Sequence, residues 1–209
     1  MPLTIRRIPG GPLETNADLI MDTSCGDAIV IDAPGETTET ILGLAEDLGA
    51  TIHQIVVTHG HWDHIQDLRA MSEALDVPIF GHPDVRARIE EPGASPTPVP
   101  VEAARMAGEL NEGDDVAVGG HVFNIMHMPG HDVAHIILYS PNDRLIFGGD
   151  VLFPGGHGRT DIPGSDQQVM NRTLRRFLDL PAEVRVFPGH GDETTLEAEQ
   201  VWIRQIPEE

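Results

Sequence analysis

Thr58-His59-Gly60-His61-Trp62-Asp63-His64 closes the β-rich run Ile52 to Thr58 and packs three imidazoles and a carboxylate into six positions. That spacing is too tight for all four side chains to reach one ion from a regular strand or helix. A turn, by contrast, can aim alternate residues at two adjacent ions. A helical segment at about Ile65 to Leu75 and a strand at Val77 to Phe80 follow. Strand, loop, helix, strand is the βαβ order.

Upstream, Leu19 to Asp22 and Ala28 to Ile31 flank the turn Thr23-Ser24-Cys25-Gly26 and read as a hairpin. Ile41, Leu44, Ala45 and Leu48 then recur at helical spacing, with Thr37 or Thr38 as the cap and Gly49 as the stop. Downstream, Glu91 to Val101 holds four prolines and is a connecting loop. Strands are expected at Asp115–Val118, His121–Met128, Ile136–Tyr139 and Arg144–Phe147. A helix at about Asp166 to Asp179, a strand at Val184–Phe187 and a helix from about Thr195 complete the chain. The two halves, about 1–90 and 115–209, are alike and are joined by the Pro-rich loop and a short helix. The expectation is a single α/β domain over 1–209, with two sheets packed together and helices outside.

Three more chemistry-bearing turns end predicted strands: Met128-Pro129-Gly130-His131, Gly148-Gly149-Asp150 and Pro188-Gly189-His190-Gly191. Each sets glycine beside the polar residue, so the backbone can take positive φ and come close to a site. A histidine in a turn is by itself usually surface decoration. Taken in order, His59, His61, Asp63, His64, His131, Asp150 and His190 instead form a candidate metal set. Cys25 is the single cysteine, so the donors here are imidazole and carboxylate.

Composition narrows the chemistry further. Thirteen basic against 34 acidic residues give a formal charge of −21, which repels phosphate backbones and anionic lipid, so neither nucleic acid nor a membrane surface is an expected partner. All the basic residues are arginine, which excludes a Schiff-base or P-loop lysine. No apolar run approaches a membrane span, and no apolar h-region follows Arg6-Arg7; a cytoplasmic protein with a small-molecule substrate is expected. Nothing in the sequence sets the oligomeric state.

With these motifs in hand, the chain from Ile20 to about Glu199 resembles the metallo-β-lactamase fold superfamily. Within it, the likeness is to the short single-domain branch of the hydroxyacylglutathione hydrolases (glyoxalase II). The run from Gly149-Asp150-Val151-Leu152-Phe153 through Gly158-Arg159-Thr160-Asp161-Ile162-Pro163 is similar to that branch, as is Pro188-Gly189-His190-Gly191 followed by Thr194-Thr195-Leu196. The resemblance implies an αββα sandwich: two mixed β-sheets packed face to face, helices on the outer faces, and metals at one edge. It implies that His59, His61 and His131 hold one divalent ion, that Asp63, His64 and His190 hold a second, and that Asp150 bridges them. The ions would be zinc, with iron or manganese also compatible.

The implied reaction is hydrolysis of a small hydroxyacyl thioester of the S-lactoylglutathione type by a metal-bridging hydroxide, with Asp63 and Asp150 as catalytic residues. Asp32, ending a strand, is a candidate to fix an imidazole tautomer. Arg159 is a candidate anchor for a substrate carboxylate, against an internal ion pair with Asp161.

This chain departs from the family at three places. Asp132 stands where the family usually has threonine, His135 adds an imidazole nearby, and His157 replaces a small or apolar residue. Full-length glyoxalase II enzymes also carry a carboxy-terminal helical domain with lysine contacts to glutathione. Here nineteen residues follow His190 and lysine is absent, so weak glutathione binding is expected. The Gly-Arg-Thr-Asp run is also similar to the persulfide dioxygenases, which would use one iron on His59, His131 and Asp150. Lactonases and β-lactamases share the ligand set.

Overall fold

The structure, a computed structural model, describes residues 2–94 and 97–207. Its first sheet is laid out in chain order: β1 (Leu3–Gly10), β2 (Thr15–Asp22), β3 (Asp27–Ile31), β4 (Thr51–Val57), β5 (Ile79–Gly81) and β6 (Met106–Glu109). The second runs in reverse from β12 (Thr194–Thr195) through β11 (Arg185–Pro188), β10 (Leu145–Gly149), β9 (Ile136–Ser140) and β8 (His121–His127) to β7 (Asp115–Val118). Both are mixed: β3 to β6 pair in parallel and β1 to β3 antiparallel, while β10 and β11 are the parallel pair of the second sheet.

Alternation along the strands builds the layers. Ile29, Ile31 and Val56 point from the first sheet toward Ile136, Leu138, Leu145 and Phe147 of the second, and together they form the core between the sheets. The opposite faces take Ala17, Leu19, Val30, Ile55 and Val57 under one set of helices, and Ile137, Ile146 and Val186 under another. The first set is α1 (Thr38–Leu48), α2 (Leu68–Leu75) and α3 (Arg86–Glu90); the second is α4 (Gln167–Arg175) and α5 (Leu196–Ile203). Met170 and Leu174 of α4, with Phe177 just beyond it, are fully buried. Each such burial is worth about 1.5–3 kcal/mol. This is the expected αββα sandwich. Among the described residues, no helix is long and apolar enough to cross a membrane.

Several local expectations shift. The edge strands β1, β6 and β12 were not expected, because they are short or half-exposed and carry weak alternation. The segment expected to be helical from Ile65 begins as α2 only at Leu68, after a 3₁₀ turn at Trp62–His64. Neither Thr37 nor Thr38 caps α1 with its own side chain. The Asp67 carboxylate does so from outside, accepting from Thr37 N, Thr38 N and the Thr38 hydroxyl at 3.0, 3.2 and 2.9 Å. Gly49 stops α1 in the left-handed region, as expected. The Pro-rich loop returns the chain to the first sheet as β6, beside β5; Ser95 and Pro96 of that loop lie outside the described residues.

Strand direction decides where the chemistry gathers. β3 and β4 end together, as do β8, β10 and β11, and each polar turn follows one of those ends. Asn16 N donates to the Gly189 carbonyl at 2.7 Å, and Thr15 bridges to His190, so the start of β2 ties both sets of strand ends to one edge.

Candidate metal centre

Three imidazoles converge first. His59 Nε2 and His131 Nε2 lie 2.9 and 2.8 Å from His61 Nδ1. Their outer nitrogens are already committed: His131 Nδ1 donates to the Arg159 carbonyl at 2.8 Å, and His59 Nδ1 lies 3.1 Å from the Thr58 hydroxyl. That hydroxyl donates to Asp32 Oδ2 at 2.7 Å, so it accepts from His59. Both Nε2 atoms therefore turn lone pairs inward. At most one N–H can sit among the three facing nitrogens, an arrangement that suits a cation.

The second group is Asp63, His64 and His190. His190 Nε2 is 3.3 Å and His64 Nε2 3.6 Å from Asp63 Oδ2. His64 Nδ1 donates to Asp32 Oδ2 at 2.8 Å, and His190 Nδ1 to the Leu13 carbonyl at 3.1 Å, so the inner Nε2 of each faces the carboxylates, with a proton in the metal-free site and a lone pair once that proton is exchanged for an ion. Asp150 stands between the groups. Its Oδ1 lies 3.3 Å from His64 Nε2, and its Oδ2 lies 3.5 Å from His131 Nε2 and 3.4 Å from His190 Nε2.

His64 Nε2 and Asp150 Oδ1 are buried with no hydrogen-bond partner. Orphaned buried polar atoms are costly, and an imidazole nitrogen set against a carboxylate calls for a cation between them, a proton or a metal ion. The donor atoms of His59, His61 and His131, of His59, His64 and Asp150, and of Asp63, His64 and His190 each lie within 4.8 Å of one another. These residues fit divalent metal on nitrogen and oxygen donors.

Charge follows the same division. Burial, then the neighbouring imidazoles, holds His59 far below its ordinary value, and His61 is down at about 4. Around the carboxylates the sign reverses. Burial pulls His64 and His190 down, but Asp150 with Asp32 lifts His64 well above the usual range, and Asp150 with Asp63 lifts His190 to about 9. Burial pushes Asp63 and Asp150 up, yet the facing imidazoles win, leaving Asp63 at about 2 and Asp150 far below the carboxylate range.

Glycines set the close approaches. A Cβ on Gly189 would lie 2.3 Å from Asp150 Oδ1, and one on Gly158 would lie 2.8 Å from His131 Nδ1. Gly130, Gly149 and Gly191 take the positive φ expected of them. Asp32, itself at φ 58°, holds His64 as expected.

The guanidinium of Arg159 is exposed and forked onto Asp161 at 2.8 and 3.0 Å; only its backbone carbonyl touches the site. Asp132 is buried on Arg88, and His135 stacks 4.6 Å from His59 and accepts from Asp150 N at 3.0 Å. His157 is half-buried, bonded to the Gly158 carbonyl. Sequence reasoning missed Thr15, whose hydroxyl donates to Asp63 Oδ2 at 2.8 Å, and Arg88. Neither carries a local signal, because each acts across the fold.

Fold and donor set together define a divalent-metal protein built as an αββα sandwich. Residues 10–190 match the family model described as the metallo-beta-lactamase superfamily, and the chain belongs to that superfamily. It is similar to a protein of Aquifex aeolicus (35% identity over 96% of this chain and 95% of that one) and to the probable metallo-hydrolase YqgX of Bacillus subtilis (33% over 93% of each). It is likewise similar to hydroxyacylglutathione hydrolase GloC of Haemophilus influenzae (30% over 95% of each). Among solved structures, the BLEG-1 B3 metallo-beta-lactamase superposes with a TM-score of 0.87 at 28% identity, covering 95% of this chain and 97% of that one. ETHE1 from Myxococcus xanthus gives 0.81 at 26% over 97% and 84%, and TTHA1623 in a di-iron-bound form gives 0.72 at 33% over 93% and 96%.

Proposed function

We propose that this chain is a binuclear metal-dependent hydrolase of small hydroxyacyl thioesters. The observation that carries the binuclear half is the pair of orphaned donors, His64 Nε2 and Asp150 Oδ1, set between two three-residue donor groups. The likeness to GloC supports the substrate class. In this reading His59, His61 and His131 would hold one ion and Asp63, His64 and His190 the other, with Asp150 available to both. Zinc suits the nitrogen-rich donors, and the di-iron neighbour keeps iron in view.

Bound there, two such ions would supply Lewis acidity, lowering the pKa of a water and polarising an acyl carbonyl. The protein's own part is to hold the donors in their ligating tautomers and to manage a proton. Asp63 Oδ2, fixed by Thr15, lies 3.3 Å from His190 Nε2 and is the carboxylate we assign to take or return it. Asp32 and the Arg159 and Leu13 carbonyls keep three imidazole lone pairs pointing inward. No side-chain nucleophile is needed. Arg159 is the one arginine of the run from Asp150 to Pro163, and we assign it to the carboxylate end of the substrate, reached by exchange of its exposed partner Asp161.

A substrate panel on protein of measured metal content tests this. Thioesters such as S-lactoylglutathione are expected to be cleaved, with a high KM that falls as ionic strength rises, because the −21 charge repels an anion. Inert thioesters with oxygen consumption on glutathione persulfide would replace the reading with a mononuclear iron dioxygenase. Turnover of a lactone or β-lactam alone would move it to another hydrolase on the same scaffold.

A further inference from the structure

Every inward-facing imidazole but one rests its outer nitrogen on a hydrogen-bond acceptor. His59 has Thr58, His131 the Arg159 carbonyl, His64 has Asp32 and His190 the Leu13 carbonyl. His61 differs. It presents Nδ1 to the site, so its outer atom is Nε2, and what faces that atom is Asp132 Oδ2 at 3.7 Å.

Asp132 is held in place from three directions. Arg88 forks onto it, with Nη2 at 2.8 Å from Oδ1 and Nη1 on Oδ2, and Ala134 N donates to Oδ1 at 2.7 Å. The carboxylate is buried, so its charge is felt at short range with little screening. The fork comes from α3, which packs over the ligand turn itself. A Cβ on Gly60 would lie 2.6 Å from Val85 Cγ2 and 3.0 Å from Arg88 Nε. One clamp thus ties the turn bearing His59 and His61, the loop bearing His131, and α3.

We propose that Asp132, set by Arg88, is a positioning residue that stabilises the His61 tautomer protonated at Nε2, the one whose Nδ1 is free to hold the three-histidine ion. It does not serve the ion at Asp63, His64 and His190. A carboxylate facing a ring nitrogen favours the tautomer that puts a proton there, and such partners are worth about 10–100-fold in metal affinity. This rests on the two-ion reading above, and the experiment separates the two.

The test uses the full chain, stripped with chelator, labelled with ¹⁵N, and titrated with Zn²⁺ alone. In wild type, Zn²⁺ is expected to move the His61 ring resonances from the Nδ1–H form, shared with His59 and His131, to the Nε2–H tautomer that faces Asp132. In Asp132→Asn the Zn²⁺ affinity of the step that perturbs His61 falls about 10–100-fold while the other step is unchanged. Arg88→Lys, which keeps charge but loses the fork, falls between. Should the single variants fold poorly, Arg88→Leu with Asp132→Thr leaves no lone buried charge and is expected to show the same selective loss. Equal weakening of both steps or an unchanged His61 step overturns the assignment. Wild type that takes up no Zn²⁺ at all overturns the two-ion reading instead.

Discussion

Asp32 Oδ2 accepts from His64 Nδ1 at 2.8 Å and from the Thr58 hydroxyl at 2.7 Å, so one buried carboxylate orients imidazoles of both donor groups, one of them through a threonine. Its other oxygen takes Thr58 N at 2.7 Å. Asn at this position tolerates the positive φ but has one acceptor oxygen, so its NH₂ must face a donor whichever way it is turned. Asp32→Asn is expected to cost about 1–3 kcal/mol in urea unfolding and to weaken metal binding about 10–100-fold. Unchanged values in both measurements would remove Asp32 from the account.

The acidic side of the site sets a pH signature in chelator-treated protein. His190 sits at about 9, raised because Asp150 and Asp63 outweigh the opposing effect of burial. A group raised on folding stabilises fully below its unfolded value, about 6.5, and that stabilisation is lost as pH climbs through the folded value. His64, also raised, adds in the same sense. Denaturation midpoints of the stripped protein should therefore fall between about pH 6.5 and 9. With Zn²⁺ added the imidazoles bind as neutral ligands and the fall should disappear. A flat profile for the stripped protein would contradict the charge distribution described here.

Glu199 fastens the loop after Asp150 to α5. Its buried carboxylate accepts from Gly155 N at 2.8 Å, from Trp202 Nε1 at 2.6 Å and from the Thr194 hydroxyl at 2.6 Å. Glu199→Ala strips acceptors from three donors at once. A loss of at least about 2 kcal/mol is expected in equilibrium unfolding, with faster amide exchange over 151–158. Stability within about 0.5 kcal/mol of wild type would show that water replaces the carboxylate without cost.

Much of this was legible in the sequence, and unevenly so. The ligand turns were, because each follows an apolar run and each needs a glycine at a close approach; Gly189 against Asp150 is the clearest case. The central strands were, because a strand buried on both faces reads as a continuous apolar run, as in β9; of β2 only the part from Leu19 was, because Thr15 to Asp18 is mostly polar. The edge strands β1, β6 and β12 were not, since none carries such a run. Asp67 capping α1, Thr15 holding Asp63 and Arg88 behind Asp132 join residues at least about thirty positions apart, and no local pattern encodes such pairs. Asp132 was noticed as a departure from the family, but its partner was invisible.

Arg159 and Asp161 give a test of substrate anchoring that leaves the metals alone. Their fork is fully exposed and screened by solvent, so Arg159→Ala should leave stability and metal content in place. For an anionic thioester, Arg159→Ala should raise KM more than it lowers kcat, and Asp161→Ala, which frees the guanidinium, should lower KM. Steady-state kinetics on the two variants checks this; KM unchanged in both would take Arg159 out of the substrate site.

Metal content per chain is the most direct test of the central claim. Elemental analysis of wild type after saturation with Zn²⁺ and removal of the excess is expected to give two ions per chain, and Asp150→Ala, which takes away the carboxylate facing both donor groups, is expected to hold fewer. A wild-type value that stays at one ion however much metal is supplied, with Asp150→Ala no different, would contradict the two-ion site.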